Sequence, residues 1–242
     1  MGLVDQLRRT YRQAQLSPAA RRLARGGMTY LKPIKLLRIE RALEAVARQR
    51  VPGDYLEFGV ALGGTSALIA PAARRAGARF IGFDVFGMIP PPESEHDDIK
   101  SRERYAKIAA GEAQGLGGDT YYGYRDDLVE HVAALLAREG APVDDDRIRL
   151  VPGLFEESWP RIADNVTAIA FAHIDCDWHD PVHFCLEAVA PRLSPGGVVV
   201  IDDYHDYEGC RVAVDRFLRE HRDFTMEPGA NPLLKRVAGA AS

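Results

Sequence analysis

Short apolar runs alternate with amphipathic runs along most of the chain, and this alternation restricts the fold more than any other feature. "DYLEFGV", "ARFIGFDVF", "RIRLVPG", "VTAIAFAHID" and "GGVVVIDDY" read as strands. "TSALIAPAARRAG", "DDLVEHVAALLAREG", "PVHFCLEAVAPRL" and "CRVAVDRFLREHR" carry apolar residues at helical spacing. The strands are apolar along their length rather than at every second residue, so both of their faces need cover. Helices joining such strands predict a parallel sheet with helix layers on either side. Upstream, "IKLLRIERALEAVARQ" places Ile34, Leu37, Ile39, Leu43 and Val46 at helical spacing, and Val51-Pro52-Gly53 reads as a turn. At 242 residues the chain suits one large α/β domain. The expected division is an N-terminal helical arm over 1–50 and a sheet domain over 51–242.

A formal net charge of −4 gives no general attraction for nucleic acid. Arg8, Arg9, Arg12, Arg21, Arg22 and Arg25 stand against Asp5 in a basic arm, read as a solvated helix face or a subunit contact. Cys176, Cys185 and Cys210 lack metal-type spacing and read as free thiols of a reducing compartment. No apolar run has membrane-span length, the N-terminus lacks a signal-peptide core, and Gln6 spoils a myristoylation signal at Gly2. The expectation is a cytoplasmic protein with no membrane partner.

"YLEFGVALGGTS" joins the first strand to a helix through Gly59, Gly63 and Gly64. This is G-x-x-x-G-G, not the G-x-G-x-x-G of dinucleotide enzymes, which disfavours a nicotinamide dehydrogenase. Glu57, close to the loop, would oppose a pyrophosphate but attract a cationic ligand such as an ammonium or sulfonium. Asp84 ends the second strand, where an acid commonly holds a ribose hydroxyl pair. An acid before the glycine loop plus a second-strand acid is the pattern of class I S-adenosylmethionine (SAM) methyltransferases. The predicted cofactor contacts are Glu57, Gly59, Gly63, Thr65, Ser66, Asp84, Gly153 at the third strand's end, and Asp175. About forty residues separate Asp84 from the helix near Asp126, where an α/β connection normally takes ~2–6. The segment over about 86–126 is therefore expected to be a lid at the ligand-binding edge.

The fourth and fifth strands end in acids: Asp175 in "AHIDCDWHDP", and Asp202 and Asp203 in "VVVIDDYHDY". If these strands are neighbours, three carboxylates converge. Such a group must be solvated, protonated or neutralised by a cation. An all-oxygen donor set favours magnesium or calcium over zinc. Asp177, two residues after Asp175, would face the same side in extended backbone. Asp180-Pro181 reads as a helix N-cap and first turn. His183 and Cys185 are expected to pack inside that helix, and His173 to be a satisfied core histidine.

"YLEFGVALGGTS", "FIGFDVFGMIP", "HIDCDWHDP" and "LSPGGVVVIDDYHDYEGCRVAVDRF" together resemble the macrocin O-methyltransferase family over about residues 28–226. The resemblance implies a doubly wound, Rossmann-like class I fold with a mostly parallel seven-stranded sheet. It also implies SAM- and magnesium-dependent methylation of sugar hydroxyls in a small-molecule substrate. By that likeness Asp175, Asp202 and Asp203 hold the metal, Asp177 is the general base, and Thr29 and Tyr30 of "MTY" close over the cofactor. His179 is the reserve base, since an imidazole titrates nearer neutrality. The chain departs from the family in its lid sequence and in "DWH" after the second acid. A homodimer or higher homo-oligomer is expected. Two rival functions are a catechol-type metal-dependent O-methyltransferase and a non-catalytic SAM-binding protein. The catechol-type enzymes usually carry Asn where Asp203 stands and Lys near position 179.

Overall fold

The computed structural model describes residue 11 and residues 13–237. Arg8, Arg9, Arg12 and Asp5 of the basic arm, with Gly2 and Gln6, lie outside the described residues. The helices α1 (Pro18–Arg25) and α2 (Pro33–Gln49) precede the sheet. Ser17 starts α1 by accepting the Ala20 N–H on its Oγ at 3.1 Å. The sheet domain then runs β1 (Asp54–Phe58), α3 (Ser66–Ala76), β2 (Phe80–Asp84), α4 (Ile99–Ala109) and α5 (Leu128–Arg138). It continues with β3 (Ile148–Pro152), the short α6 (Phe155–Ser158), β4 (Ile169–Ile174), α7 (His179–Val189) and β5 (Leu193–Ile201). α8 (Glu208–Glu220), β6 (Phe224–Glu227) and β7 (Leu233–Arg236) complete it.

The sheet has seven strands in the order β3-β2-β1-β4-β5-β7-β6. β1 to β5 are mutually parallel, and β7 runs antiparallel to both β5 and β6. β1, β2 and β4 are buried at every residue, which accounts for their unbroken apolar sequences. One sheet face packs Tyr55, Phe80, Phe171 and Val200 under α1, α2, α3 and α5. The other packs Phe58, Phe83, Ile174 and Ile201 against Trp159, Leu186 of α7 and Phe217 of α8. The Phe58 and Phe83 rings stack with centroids 4.8 Å apart, an arrangement worth ~0.5–1.5 kcal/mol beyond its buried area. Among the described residues no helix is long and apolar enough to cross a membrane. The three cysteines are buried free thiols.

Chain order reverses between β1 and β4, so a crevice opens at their carboxyl ends. The 86–126 segment covers that edge. It contains α4, two single turns of 3₁₀ helix (Leu116–Gly118 and Tyr122–Tyr124), and a small core of Ile108, Ala113 and Tyr121.

The start of α7 departs from expectation. The helix begins at His179, so Asp180 lies inside its first turn and does not cap it. The His179 N–H is accepted instead by Asp97 Oδ1 at 2.9 Å, a carboxylate of the 86–126 segment. Trp178 Nε1 donates to the Pro90 carbonyl at 2.9 Å, a second tie from the same turn to that segment.

Candidate active site

The glycine loop is shaped by what passes against it. Gly59 has φ 92°, and a Cβ there would collide with the Asp175 carbonyl where β4 runs out. A Cβ on Gly64 would strike the Met28 carbonyl and Thr29, so the "MTY" segment lies directly on the loop. Thr29 is buried, and its Oγ1 accepts the Leu31 N–H at 3.1 Å. Tyr30 is partly exposed and meets Tyr122 of the 86–126 segment edge-on at 5.8 Å. Gly63 packs on Val132, and Thr65 is buried just ahead of α3.

Asp84 organises this loop. Its Oδ2 accepts the Val60 and Ala61 N–H groups at 2.7 and 2.9 Å, and its Oδ1 accepts the Phe86 N–H at 2.7 Å. Burial raises its pKa even though these donors favour the ionised form. Its carbonyl accepts the Gly153 N–H at 3.0 Å, which fixes the end of β3 beside it.

Glu57, expected at the cofactor, has both carboxylate oxygens engaged by protein groups. It is fully buried on the α3 face of the sheet, where its Oε2 accepts the Ser66 hydroxyl and its Oε1 lies 3.0 Å from His173 Nδ1. Burial raises its pKa. Glu57 and His173 are register partners across β1 and β4, which puts both on one face of the sheet. His173 is satisfied at Nδ1 only; its Nε2 is buried without a partner.

The acids of β4 and β5 meet as expected. The ladder runs one residue past each strand, with the Asp175 N–H donating to the Phe58 carbonyl at 2.9 Å and the Asp202 N–H to the Ile174 carbonyl at 3.0 Å. Asp175, Asp202 and Asp203 each offer a carboxylate oxygen, and these atoms all lie within 4.8 Å of one another. Burial and the neighbouring carboxylates push the Asp175 and Asp203 pKa values well up. Asp202 Oδ1 is buried with no hydrogen-bond partner. An all-oxygen set with one unpartnered buried oxygen suits a hard divalent ion.

Asp177 comes to the site by a different backbone than expected. It has φ 59°, in the left-handed region, so a sharp turn and not an extended strand carries it past Asp175. Its N–H donates to Asp203 Oδ2 at 3.2 Å. Burial and Asp202 push its pKa up to about 6, against the opposing pull of Arg104 and Lys35. His179 is turned elsewhere. Its Nδ1 lies 2.6 Å from Asp180 Oδ1 and 3.2 Å from Ser94 Oγ, and its ring lies 4.5 Å from that of His96.

A cavity of about 530 Å³ joins these parts, lined by Gly59, Asp84, Tyr122, Phe155, Asp175 and Asp177 among others; His179 is not in its wall. A larger recess of about 1110 Å³ lies at the amino-terminal edge of the sheet, beside Asp54 and Arg79, and holds none of the expected site residues.

Lys35 was not anticipated. Its ammonium donates to Asp202 Oδ2 and Asp206 Oδ2, both at 2.7 Å, and to the Asp202 carbonyl at 3.0 Å. Burial disfavours its charge, but the two carboxylates outweigh that and raise its pKa. Lys35 stands in the stripe of buried residues Ile39, Ala42 and Val46 on α2, and a lysine on an apolar stripe was the available signal. Asp97 had none, because its partner lies 82 residues away.

The macrocin-O-methyltransferase (TylF) family profile matches residues 9–227. A relative from Streptomyces olivaceus, 8-demethyl-8-(2,3-dimethoxy-alpha-L-rhamnosyl)-tetracenomycin-C 4'-O-methyltransferase, is 31% identical over 183 residues. That match takes in 74% of this chain and 63% of the relative, so the chain spans under two thirds of the relative's length. Among solved structures, the O-methyltransferase NovP superposes with a TM-score of 0.65 at 21% identity, covering 83% of this chain and 78% of its own. TomG from Streptomyces achromogenes, an O-methyltransferase solved in complex with SAM, gives 0.60 at 16% identity, covering 98% and 100%. Both superpositions show the α/β fold of class I methyltransferases, and the match over residues 9–227 makes this chain a member of the macrocin O-methyltransferase family.

Proposed function

We propose that this chain is an O-methyltransferase that uses SAM and a hard divalent ion, magnesium by expectation, to methylate a hydroxyl of a sugar or glycosylated small molecule. One observation carries the reading. Asp175 belongs both to the acid triad, whose ligand atoms lie within 4.8 Å, and to the wall of the cavity shared with Asp177 and the glycine loop. The named 4'-O-methylation of a rhamnosyl compound by the Streptomyces olivaceus relative supports a sugar hydroxyl as acceptor.

Each residue has a task in that reaction. The loop at Gly59, Gly63 and Thr65 brings backbone close to the cofactor, and Thr29 and Tyr30 cover it. Three N–H bonds leave the Asp84 carboxylate with capacity for about one more, enough to receive a ribose hydroxyl. Asp175, Asp202 and Asp203 would hold the divalent ion, which supplies Lewis acidity toward the acceptor hydroxyl. Methyl transfer forms an O–C bond, breaks the S–C bond and releases the hydroxyl proton, and Asp177 receives that proton. A pKa near 6 leaves Asp177 ionised at neutral pH yet more basic than an ordinary carboxylate. Holding oxygen, methyl and sulfur in line supplies much of the remaining rate.

The test is a mass-spectrometric methylation assay over glycosides, nucleotide sugars and catechols, with magnesium or after exhaustive chelation. Magnesium-dependent product from a sugar hydroxyl supports the proposal. Product from catechols alone would move the acceptor class to phenols. SAM binding without any product would make this a binding protein, and full activity after chelation would remove the metal.

A further inference from the structure

Asp202 divides its two carboxylate oxygens between different surroundings. Oδ2 lies 2.7 Å from the Lys35 ammonium, while Oδ1 is buried with no partner. Lys35 also reaches the Asp202 carbonyl at 3.0 Å and Asp206 Oδ2 at 2.7 Å, so its three N–H donors meet three oxygens. The Lys35 side chain is 9% exposed. Its main chain is held as well, since Asn231 Nδ2 donates to the Lys35 carbonyl at 3.3 Å. Among the described residues, Lys35 makes the only ion pair to Asp175, Asp202 or Asp203.

We infer that Lys35 is a built-in counter-cation and positioning residue. It fixes Asp202 by one oxygen, leaves the other unpartnered, and keeps the crowded carboxylates folded when no divalent ion is bound. The inference rests on the metal reading above for what the freed oxygen receives, but the counter-cation role stands on the ion pairs alone. The physical reason is charge balance. Four acids, Asp175, Asp177, Asp202 and Asp203, gather at the ends of β4 and β5, and removing one partner of a buried pair leaves an uncompensated charge. With Lys35 in place, folding of this edge does not wait for metal. Without it, a divalent ion becomes the main source of compensating charge, so stability becomes strongly metal-dependent.

The experiment compares thermal midpoints of the full chain in EDTA and in saturating magnesium, for wild type, Lys35→Met, and Lys35→Met combined with Asp202→Asn. Lys35→Met is expected to melt roughly 6–20 °C below wild type in EDTA, the scale of a broken buried pair in a chain of this size. Magnesium should restore at least half of that loss and should shift wild type much less. The double variant removes both charges, so it should regain stability in EDTA and lose the magnesium response. If Lys35→Met folds only when prepared in magnesium, the inference is supported; if it folds in neither condition, the double variant in EDTA decides. An equal loss in EDTA and magnesium, or a midpoint within ~2 °C of wild type in EDTA, would show that Lys35 is ordinary packing. A manganese titration of wild type read by electron paramagnetic resonance separates the two ideas. No binding there sinks the metal reading, while the variants in EDTA still judge Lys35.

Discussion

Asp177 combines a left-handed backbone at φ 59°, a half-buried carboxylate and a place in the cavity wall. As a general base it must be ionised. Its folded pKa is raised to about 6 by burial and Asp202, so activity should fall as pH drops through 6 and level off above 7. Asp177→Asn is expected to keep SAM affinity and lower kcat by ~10²-fold or more, with the limb near pH 6 lost. An unchanged kcat would reassign the base. Asp84 is the second residue whose task can be weighed. In Asp84→Asn one acceptor oxygen becomes a donor facing backbone N–H groups, and a buried unsatisfied group costs ~1–3 kcal/mol. Calorimetric unfolding should show that loss, together with weaker SAM binding; wild-type stability in the variant would detach Asp84 from the loop. The gathering of Asp175, Asp202 and Asp203 was legible because acids at strand ends are conspicuous. The partners of Glu57 were less so. Glu57 is fully buried, its carboxylate shared between Ser66 and His173, the latter 116 residues away in sequence. Its nearness to the glycines points to a cofactor contact but gives no sign of these two partners.

Among the elements, strands and helices followed from the sequence because apolar periodicity is a local property that burial preserves. The start of α7 did not, because its first N–H is satisfied across the fold. Asp97 Oδ1 takes the His179 N–H at 2.9 Å while Trp178 Nε1 holds the Pro90 carbonyl at 2.9 Å, so one turn anchors both the helix and the 86–126 segment. That segment has little periodicity of its own beyond α4, and its small core is three buried residues, Ile108, Ala113 and Tyr121. Few apolar contacts and long-range ties are what a closing element needs. Asp97→Ala should therefore cost ~0.5–2 kcal/mol, the value of a lost cap, and raise hydrogen exchange over 86–126 and the first turn of α7. Binding of SAM should slow exchange over the same peptides in the wild type. If the substitution speeds exchange in α7 but not in 86–126, the two are not anchored together.

At the scale of the whole molecule, the acid cluster exists only when the sheet is complete. Asp175 hangs from β4, Asp202 and Asp203 from β5, and Lys35 reaches them from α2, some 140 residues or more away in sequence. Folding therefore brings like charges together, and the pKa values of Asp175 and Asp203 rise well above the ordinary carboxylate range through burial and mutual repulsion. An acid with a raised folded pKa binds more protons in the folded state than in the unfolded one. The metal-free protein thus gains stability from these sites at low pH and loses it as pH rises through their folded values. A divalent ion needs the ionised carboxylates, so binding must expel those protons and tighten as pH rises. Magnesium affinity measured by titration calorimetry should increase between pH 5.5 and 8, on the order of tenfold per pH unit for each proton released. The heat should also differ between buffers of different ionisation enthalpy, which counts the protons directly. Affinity and heat that are indifferent to pH and buffer would mean that the carboxylates are already ionised without metal. Lys35 would then be compensating them more completely than the raised pKa values imply.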